Sequence, residues 1–315
     1  MYSEVISKTA RSVIDNVGRA IFGKEEQITY VVTALLCRGH VLLDDIPGTG
    51  KTTLAKALAK SISSDTKRIQ FTPDLLPSDI TGVNYFNQKT ADFVFRRGPV
   101  FTNILLADEI NRTTPRTQSA LLECMGEHQA TIDGVTYNLD APFFVIATQN
   151  PIESQGTFPL PEAQMDRFLM KLSLGYPEHN AEKNVLTQYG GANPLDALSP
   201  VCTQEDIRTA CELVKNITVS EPIKDYIIDI AEATRTSDRL RLGVSPRATL
   251  ALMRASQAYA AIRERDYVLP DDVKKVAVPV LSHRIITRSQ NTIRLTDTNE
   301  QVIEYILDTV RAPIE

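Results

Sequence analysis

The segment His40–Thr52 constrains the fold of this chain more than any other part of its sequence. It reads HVLLDDIPGTGKT, an apolar run followed by a turn with two glycines and then by a Lys-Thr pair. The residues that continue from it, KTTLAKALAKSI, favour a helix. A strand, a glycine turn and a helix in this order form the frame of a phosphate-binding loop. The pattern therefore predicts an α/β fold that binds a nucleotide.

The composition of the loop indicates how it would hold phosphate. Gly48 and Gly50 let backbone N–H groups surround phosphate oxygens, and the next helix offers the positive end of its dipole. We expect Lys51 to contact the β and γ phosphates and Thr52 to bind Mg²⁺. Asp45 stands where the full G-x-x-x-x-G-K-[ST] pattern has its first glycine. Aspartate tolerates unusual backbone angles, so we expect the loop to survive with an altered nucleotide affinity.

Two further apolar runs end in polar side chains. Asp108 and Glu109 follow the run Asn103–Ala107, and we expect them to hold the Mg²⁺ shell and to polarise the attacking water. Both acids serve one site only if the strand ends there and the backbone turns, because adjacent side chains on a strand point in opposite directions. The strand FFVIATQ precedes Asn150, whose neutral amide is suited to orienting the water or contacting the γ phosphate.

The rest of the chain divides into an α/β part and a helical part. Five short apolar strands with helices between several of them predict a mostly parallel sheet covered on both faces, with hairpins near 82–98 and 128–138. The Gly-Gly-Ala-Asn-Pro segment at 190–194 marks a linker, so we divide the chain into an α/β domain (1–195) and a smaller all-helical domain (196–315). The helices predicted after residue 178 are Ala181–Tyr189, Gln204–Val214, Glu221–Arg235, Pro246–Ile262, Pro270–Val276, Leu281–Ile286 and Asn299–Val310.

Composition excludes several other classes of protein. The 315 residues are 43% hydrophobic and 23% charged, as expected of a globular chain, and the net charge of −5 argues against a general nucleic-acid-binding surface. No run approaches the length of a membrane helix, and residues 1–17 do not form a secretory signal pattern, so we expect a cytoplasmic protein. The four cysteines form no CxxC pair, and the four histidines are scattered in the sequence.

Together these motifs resemble the MoxR family of AAA+ ATPases, from about Val17 to Arg284. The similar segments are PGTGKTTLAKALA, LADEINRTTPRTQSALLECMGEHQ, PFFVIATQNPIESQGTFPLPEAQMDRFLM and GVSPRATLALMRASQAYA. The resemblance implies an AAA+ P-loop αβα sandwich with a five-stranded, mostly parallel sheet, followed by an all-helical lid. The two hairpins resemble that clade's inserts in helix 2 and before the sensor strand.

The resemblance also assigns roles to individual residues. The nucleotide-binding set is Ile21, Phe22, Gly23, Pro47, Gly48, Thr49, Gly50, Lys51, Thr52, Thr53 and Asp108, with the first three near adenine and with Thr52 and Asp108 binding Mg²⁺. The catalytic set is Glu109, Asn150 as sensor 1, Arg167 as an arginine finger reaching the neighbouring subunit's site, and Arg247 as sensor 2 in the lid. Arginine suits the last two roles because it neutralises phosphoryl charge, although each arginine taken alone is more often a surface salt-bridge partner.

At the level of function, the resemblance implies a ring, usually a hexamer, that hydrolyses ATP between the α/β domain and the lid. It also implies a chaperone-like role towards proteins with von Willebrand factor A domains, with the two hairpins passing motion to a client. Three alternatives remain on the sequence alone. They are a small-molecule kinase, which Glu109 disfavours, a scaffold with little hydrolysis, which only Asp45 favours, and a DNA-remodelling motor, which the acidic balance disfavours.

Overall fold

The computed structural model describes residues 1–151, 156–189, 193–288 and 298–313. Its α-helices are α1 (Tyr2–Gly18), α2 (Glu25–Leu36), α3 (Lys51–Ser61), α4 (Pro77–Thr81), α5 (Pro115–Glu127), α6 (Glu162–Met165), α7 (His179–Tyr189), α8 (Pro194–Ala197), α9 (Gln204–Val214), α10 (Glu221–Thr236), α11 (Pro246–Ile262), α12 (Pro270–Leu281) and α13 (Asn299–Thr309). Single 3₁₀ turns form at Ile110–Arg112 and Ser282–Arg284.

The strands are short. They are β1 (Val41–Asp44), β2 (Thr66–Gln70), β3 (Gly82–Asn87), β4 (Asp92–Arg97), β5 (Ile104–Asp108), β6 (Gln129–Ile132), β7 (Val135–Asn138), β8 (Phe144–Gln149), β9 (Met170–Leu172), β10 (Leu240–Leu242) and β11 (Ile286–Thr287).

Five strands form one sheet in the order β2-β5-β8-β1-β9, and every pairing within it is parallel. The register places Val41 opposite both Ile146 and Met170. All five carboxyl ends therefore lie at one edge of the sheet and all five amino ends at the other. This confirms the predicted five-stranded sheet of an αβα sandwich.

Alternate residues of the strands face two separate apolar layers. Leu43 and Leu106 pack into a layer with α1, α2 and α3, whereas Leu42 and Leu105 pack into a layer with α5. The three central strands, β1, β5 and β8, are buried on both faces, which explains their nearly continuous apolar sequence, whereas the edge strand β2 is mostly exposed. The first layer also continues into α10, α11 and α12, so the lid shares its core with the sandwich.

Both predicted hairpins are present, and they contact each other. β3 pairs with β4, and β6 pairs with β7, each in antiparallel register. Phe95 of the first hairpin stacks on Tyr137 of the second with ring centroids 4.3 Å apart, and Asn84 donates a hydrogen bond of 2.8 Å to Asp133. The two inserts therefore form one surface unit.

The lid is helical, with two local differences from the predicted elements. The predicted helix Leu281–Ile286 is not formed as a separate α-helix: Leu281 ends α12, Ser282–Arg284 form a 3₁₀ turn and Ile286 begins β11, which pairs with β10 about 45 residues earlier in the chain. The helix predicted over Pro270–Val276 extends to Leu281.

The domain boundary near residue 195 stays a prediction. Residues 190–192 of the predicted linker lie outside the described residues. Beyond them, α9 buries Ile207 and Cys211 in the layer shared with α1 and α2, and Cys211 donates to Leu35 O. None of the helices in the described ranges is long and apolar enough to cross a membrane.

His40 connects three elements of the sandwich and gives the fold a pH dependence. Its Nδ1 accepts from Val145 N and its Nε2 donates to Met125 O, both at 3.1 Å. Burial lowers the pKa of His40 to about 3, against about 6.5 in an unfolded chain. Below pH 6.5 the unfolded chain therefore binds a proton that the folded chain does not.

We expect this histidine to reduce the free energy of unfolding by about 1.4 kcal/mol for each pH unit between about 6 and 4. Urea denaturation of the native protein and of His40→Gln across this range checks the prediction. The variant should show a shallower slope, with the remainder contributed in part by His283, whose pKa burial also lowers to about 3. Identical slopes would contradict it.

Candidate functional site

The phosphate loop lies between β1 and α3 with the backbone that its sequence predicts. Gly48 and Gly50 have φ values of +87° and +92°, in the left-handed region that only glycine enters freely. A Cβ at Gly48 would meet nothing within 4 Å, so the loop encloses open space at that point. Lys51 Nζ donates to Asp45 O at 3.0 Å and to Ile46 O at 2.8 Å. The lysine is thus held over the mouth of the loop by neutral carbonyl groups.

The first turn of α3 suits an anion. Gly50 is the N-cap and supplies no side-chain acceptor, and the first hydrogen bond of the helix runs from Leu54 N to Gly50 O. The N–H groups of Lys51, Thr52 and Thr53 therefore have no acceptor within the helix. Three N–H donors beside a lysine ammonium fit the oxygens of a polyphosphate.

Asp108 lies at the carboxyl end of β5. This strand pairs with β8, and β8 pairs with β1, the strand that leads into the phosphate loop. Asp108 Oδ1 accepts from the hydroxyl of Thr148 at 2.6 Å, and its Oδ2 accepts from Nη2 of Arg68 at 2.7 Å. The Asp108 carboxylate and the Thr52 hydroxyl are hard oxygen donors of the kind that Mg²⁺ prefers, so both residues are candidate ligands for that ion.

The backbone turns at Glu109, directly after β5 ends, as is required for both acids to serve one site. Its φ of +58° turns the chain out of β5 and into the 3₁₀ turn Ile110–Arg112. Its N–H donates to Thr148 Oγ1 at 2.9 Å. Its carboxylate accepts from Gln70 Nε2 at 2.7 Å and pairs with Arg112 Nε at 3.0 Å. Both acids therefore lie at one edge of the sheet, and each is already bound by a donor.

Asn150 and the predicted adenine contacts also lie at this edge. Asn150 is buried directly after β8. Ile21 is buried within 3.6 Å of where a Cβ on Gly50 would stand. Gly23 has a φ of +69°, and a Cβ there would come within 2.7 Å of Ala181 in α7. The segment Ile21–Gly23 therefore lies between the phosphate loop and α7. The side chain of Phe22 is half-buried.

Arg167 lies at the opposite edge of the sheet. Arg167 comes three residues before β9. Nearby, Leu169 N donates to the carbonyl oxygen of His40, the residue that precedes the amino end of β1. Arg167 Nη1 donates to Leu122 O at 2.6 Å. β1 spans four residues, or about 13 Å, between this edge and the phosphate loop. Within one chain, Arg167 and the phosphate loop therefore lie at opposite ends of the sheet strands.

Arg247 lies in the first turn of α11, and the start of this helix contacts Asp166, the residue before Arg167. Ser245, the N-cap of α11, contacts Asp166 Oδ2 at 3.5 Å, and Arg284 pairs with Asp166 at 3.2 Å and donates to Phe168 O at 2.6 Å. Burial lowers the pKa of Arg284 to about 10; the carboxylate of Asp166 opposes this shift and the charge of Arg247 adds to it. Asp166 and Arg284 thus join the start of the lid helix to the Arg167 segment.

Sequence analysis missed Arg68 and Gln70, which hold the two acids. Their i, i+2 spacing places both on one face of β2, but the local sequence does not indicate that β2 pairs with β5. It also missed Asp166 and Arg284, which are 118 residues apart.

A cavity of about 850 Å³ opens between α2, β9, α12 and α13. Asp44 and Lys171 line it as an ion pair of 2.6 Å, but Gly48–Thr52 do not. The N–H groups without an acceptor in α3 and the Lys51 ammonium lie at the loop instead, so the loop is the candidate site for phosphates.

Thr148 joins both acids to β8 through its hydroxyl, and the residue is only 1% exposed. We expect Thr148→Val, which keeps the shape of the side chain, to lower the free energy of unfolding by about 2 kcal/mol, because it removes a charge-assisted hydrogen bond. Chemical denaturation measures this. Thr66→Val on the exposed edge strand is the matched control, with an expected change under about 0.5 kcal/mol. Equal effects would contradict the structural role of Thr148.

Two family models match the chain. The model described as ATPase family associated with various cellular activities (AAA) covers residues 40–170, and the AAA lid domain model covers residues 232–306. Membership of this group implies nucleotide binding with a metal ion, typically Mg²⁺.

Similar proteins match almost the whole chain. YeaC of Bacillus subtilis (strain 168), an uncharacterized protein, is 48% identical over 100% of this chain and 98% of its own length. The Chaperone MoxR1 of Mycobacterium tuberculosis (strain ATCC 25618 / H37Rv) is 38% identical over 97% of this chain and 82% of its own length. A crystal structure of a candidate ATPase from Cytophaga hutchinsonii ATCC 33406 aligns with a TM-score of 0.92 and 40% identity, over 99% of this chain and 97% of that one. The chain therefore belongs to the MoxR family of AAA+ ATPases.

Proposed function

We propose that this protein hydrolyses ATP as a ring of identical subunits, most simply a hexamer, and uses that hydrolysis to remodel a partner protein complex. The observation that supports this proposal most is that the candidate phosphate-binding and acidic side chains lie at one edge of the sheet and the two candidate arginines at the other. Lys51, Asp108 and Glu109 lie at the carboxyl edge of the sheet, whereas Arg167 and Arg247 lie at the amino edge. An arginine that neutralises the transferred phosphoryl group must then come from another copy of the chain.

In this proposal the triphosphate binds the N–H groups at the start of α3, and Lys51 moves from the carbonyls of Asp45 and Ile46 to the phosphates. Thr52 and Asp108 would hold Mg²⁺, which would offset charge on the β and γ phosphates. Glu109 exchanges its bond from Gln70 for the attacking water, whose proton it accepts. The amide of Asn150 orients that water.

The amino edge supplies the other half of the site. Asp166 and Arg284 fix Arg167 and the first turn of α11 together, so both arginines would approach the adjoining subunit as a unit. Arg247 therefore serves the neighbour's nucleotide in this proposal, and not the nucleotide of its own chain as a lid residue would. The division of the chain into an α/β domain (1–195) and a helical domain (196–315) is part of this proposal.

The hairpins are the surface that we propose for the partner complex. Phe93 is 68% exposed and Phe86 is 53% exposed, and their rings pack edge to face at 5.5 Å. Exposed aromatic pairs of this kind typify protein-binding surfaces. By family resemblance, the partner is a protein with a von Willebrand factor A domain.

The first test is hydrolysis itself. Phosphate release from ATP without any acceptor should be measurable in the native protein, and Glu109→Gln should abolish it while ATP binding, measured by calorimetry, is retained. Binding without hydrolysis in the native protein would instead identify a nucleotide-binding scaffold.

The second test is the shared site. We expect Arg167→Ala to lower kcat by about 10³-fold or more with nearly unchanged nucleotide binding. Mixing Arg167→Ala with Lys51→Ala should restore some activity, because each subunit supplies what the other lacks. No restoration at any mixing ratio would count against a site between subunits.

Gly126→Ala provides a second variant for the same test. A Cβ at Gly126 would come within 2.4 Å of Arg167 Nη1, so the guanidinium must move. Gly126 lies in the last turn of α5, and moving the guanidinium breaks its hydrogen bond to Leu122 O, so the free energy of unfolding should fall by about 1 kcal/mol while hydrolysis falls much further. A stable variant with full activity would argue against the role of Arg167.

A further inference from the structure

Asp45, which replaces the usual first glycine of the phosphate loop, is held by three donors. It is 3% exposed. Its Oδ1 accepts from Ser173 Oγ at 2.9 Å and from Gly175 N at 3.0 Å, and its Oδ2 accepts from Leu174 N at 2.6 Å. A buried carboxylate needs such bonds to offset its lost hydration. All three come from the turn that follows β9.

The backbone of Asp45 is bound at both of its polar groups as well. Its N–H donates to Gln149 O at the end of β8, at 3.2 Å. Its carbonyl accepts from Lys51 Nζ at 3.0 Å. One residue thus contacts the strand end that precedes Asn150, the lysine of the phosphate loop and the turn after β9.

The turn Ser173–Gly175 leads directly to α7. Leu174 is buried within the apolar layer shared with the lid, and Gly175 has a φ of +60°. Ala181 of α7 packs on Gly23, next to the proposed adenine contacts. A change in this turn would therefore move α7 relative to the loop.

We propose that Asp45 is a positioning residue that transmits occupancy of the phosphate loop to α7. This rests on the proposed nucleotide site. When phosphates take Lys51, its ammonium leaves the carbonyl of Asp45, and the peptide of Asp45 relaxes. Its carboxylate carries that shift through three hydrogen bonds to the Ser173–Gly175 turn. A glycine at this position has no side chain with which to do so.

The test uses tripolyphosphate with Mg²⁺ as the probe, because it lacks the adenosine that would touch α7 directly. Amide hydrogen exchange is measured with and without saturating probe in the full-length native protein, Asp45→Gly, Asp45→Asn and Ser173→Ala. In the native protein, amides in Lys51–Leu54 and in 176–187 should both change their exchange rate. In the two Asp45 variants the response of 176–187 should shrink at least about tenfold, while that of Lys51–Leu54 persists. Ser173→Ala, which removes one bond of three, should give an intermediate response.

Asp44→Asn is the matched control, since it removes a carboxylate one residue earlier that pairs with Lys171 and not with the turn. It should retain the full response in 176–187. A full response in the Asp45 variants, or none in the native protein when Lys51–Leu54 responds, would overturn the proposal. The absence of any response at Lys51–Leu54 in the native protein would instead count against the nucleotide site itself. If the Asp45 variants do not fold, Ser173→Ala still tests the proposal. It must lower the exchange response of 176–187, and an unchanged response in this variant would overturn the proposal.

Discussion

Parallel pairing of β1 with β8 on one side and β9 on the other is the constraint on which the rest of this structure depends. Parallel strands bring all their carboxyl ends to one edge, so the phosphate loop, Asp108, Asn150 and the turn that binds Asp45 meet there without being close in sequence. The same pairing sends Arg167 to the other edge. The loop with its two acids and the Arg167 segment therefore lie at opposite ends of the sheet strands.

Three charged side chains at the carboxyl edge, Lys51, Asp108 and Glu109, have partners within the chain. Lys51 binds carbonyl groups of its own loop, Asp108 binds Arg68, and Glu109 binds Gln70. Nucleotide binding would therefore exchange these bonds for new ones instead of adding bonds to free groups. Such an exchange costs little net free energy, because each hydrogen bond in a protein replaces another.

Local patterns were sufficient for most elements but not for all. The strand, glycine turn and helix at His40–Ser61 were predictable because backbone sterics and apolar periodicity act over a few residues. Leu281–Ile286 was wrongly predicted as a helix because its pairing partner, Leu240–Leu242, is distant in sequence. Asp45 was correctly recognised as a departure from the loop pattern, but its three donors lie about 130 residues away. The locations of Arg68 and Arg247 were beyond local reasoning for the same reason.

The sequence by itself determined the chemistry of this protein: a glycine loop with a lysine, two acids at a strand end, and the family to which they belong. Those features depend on residue type and short spacing, which the chain carries directly. Only the tertiary structure decided which edge of the sheet receives each group, that Arg68 and Gln70 hold Asp108 and Glu109, and that Ser245 at the start of α11 lies beside Asp166. These depend on contacts between segments far apart in sequence, and such contacts form only when the sheet and its two apolar layers assemble.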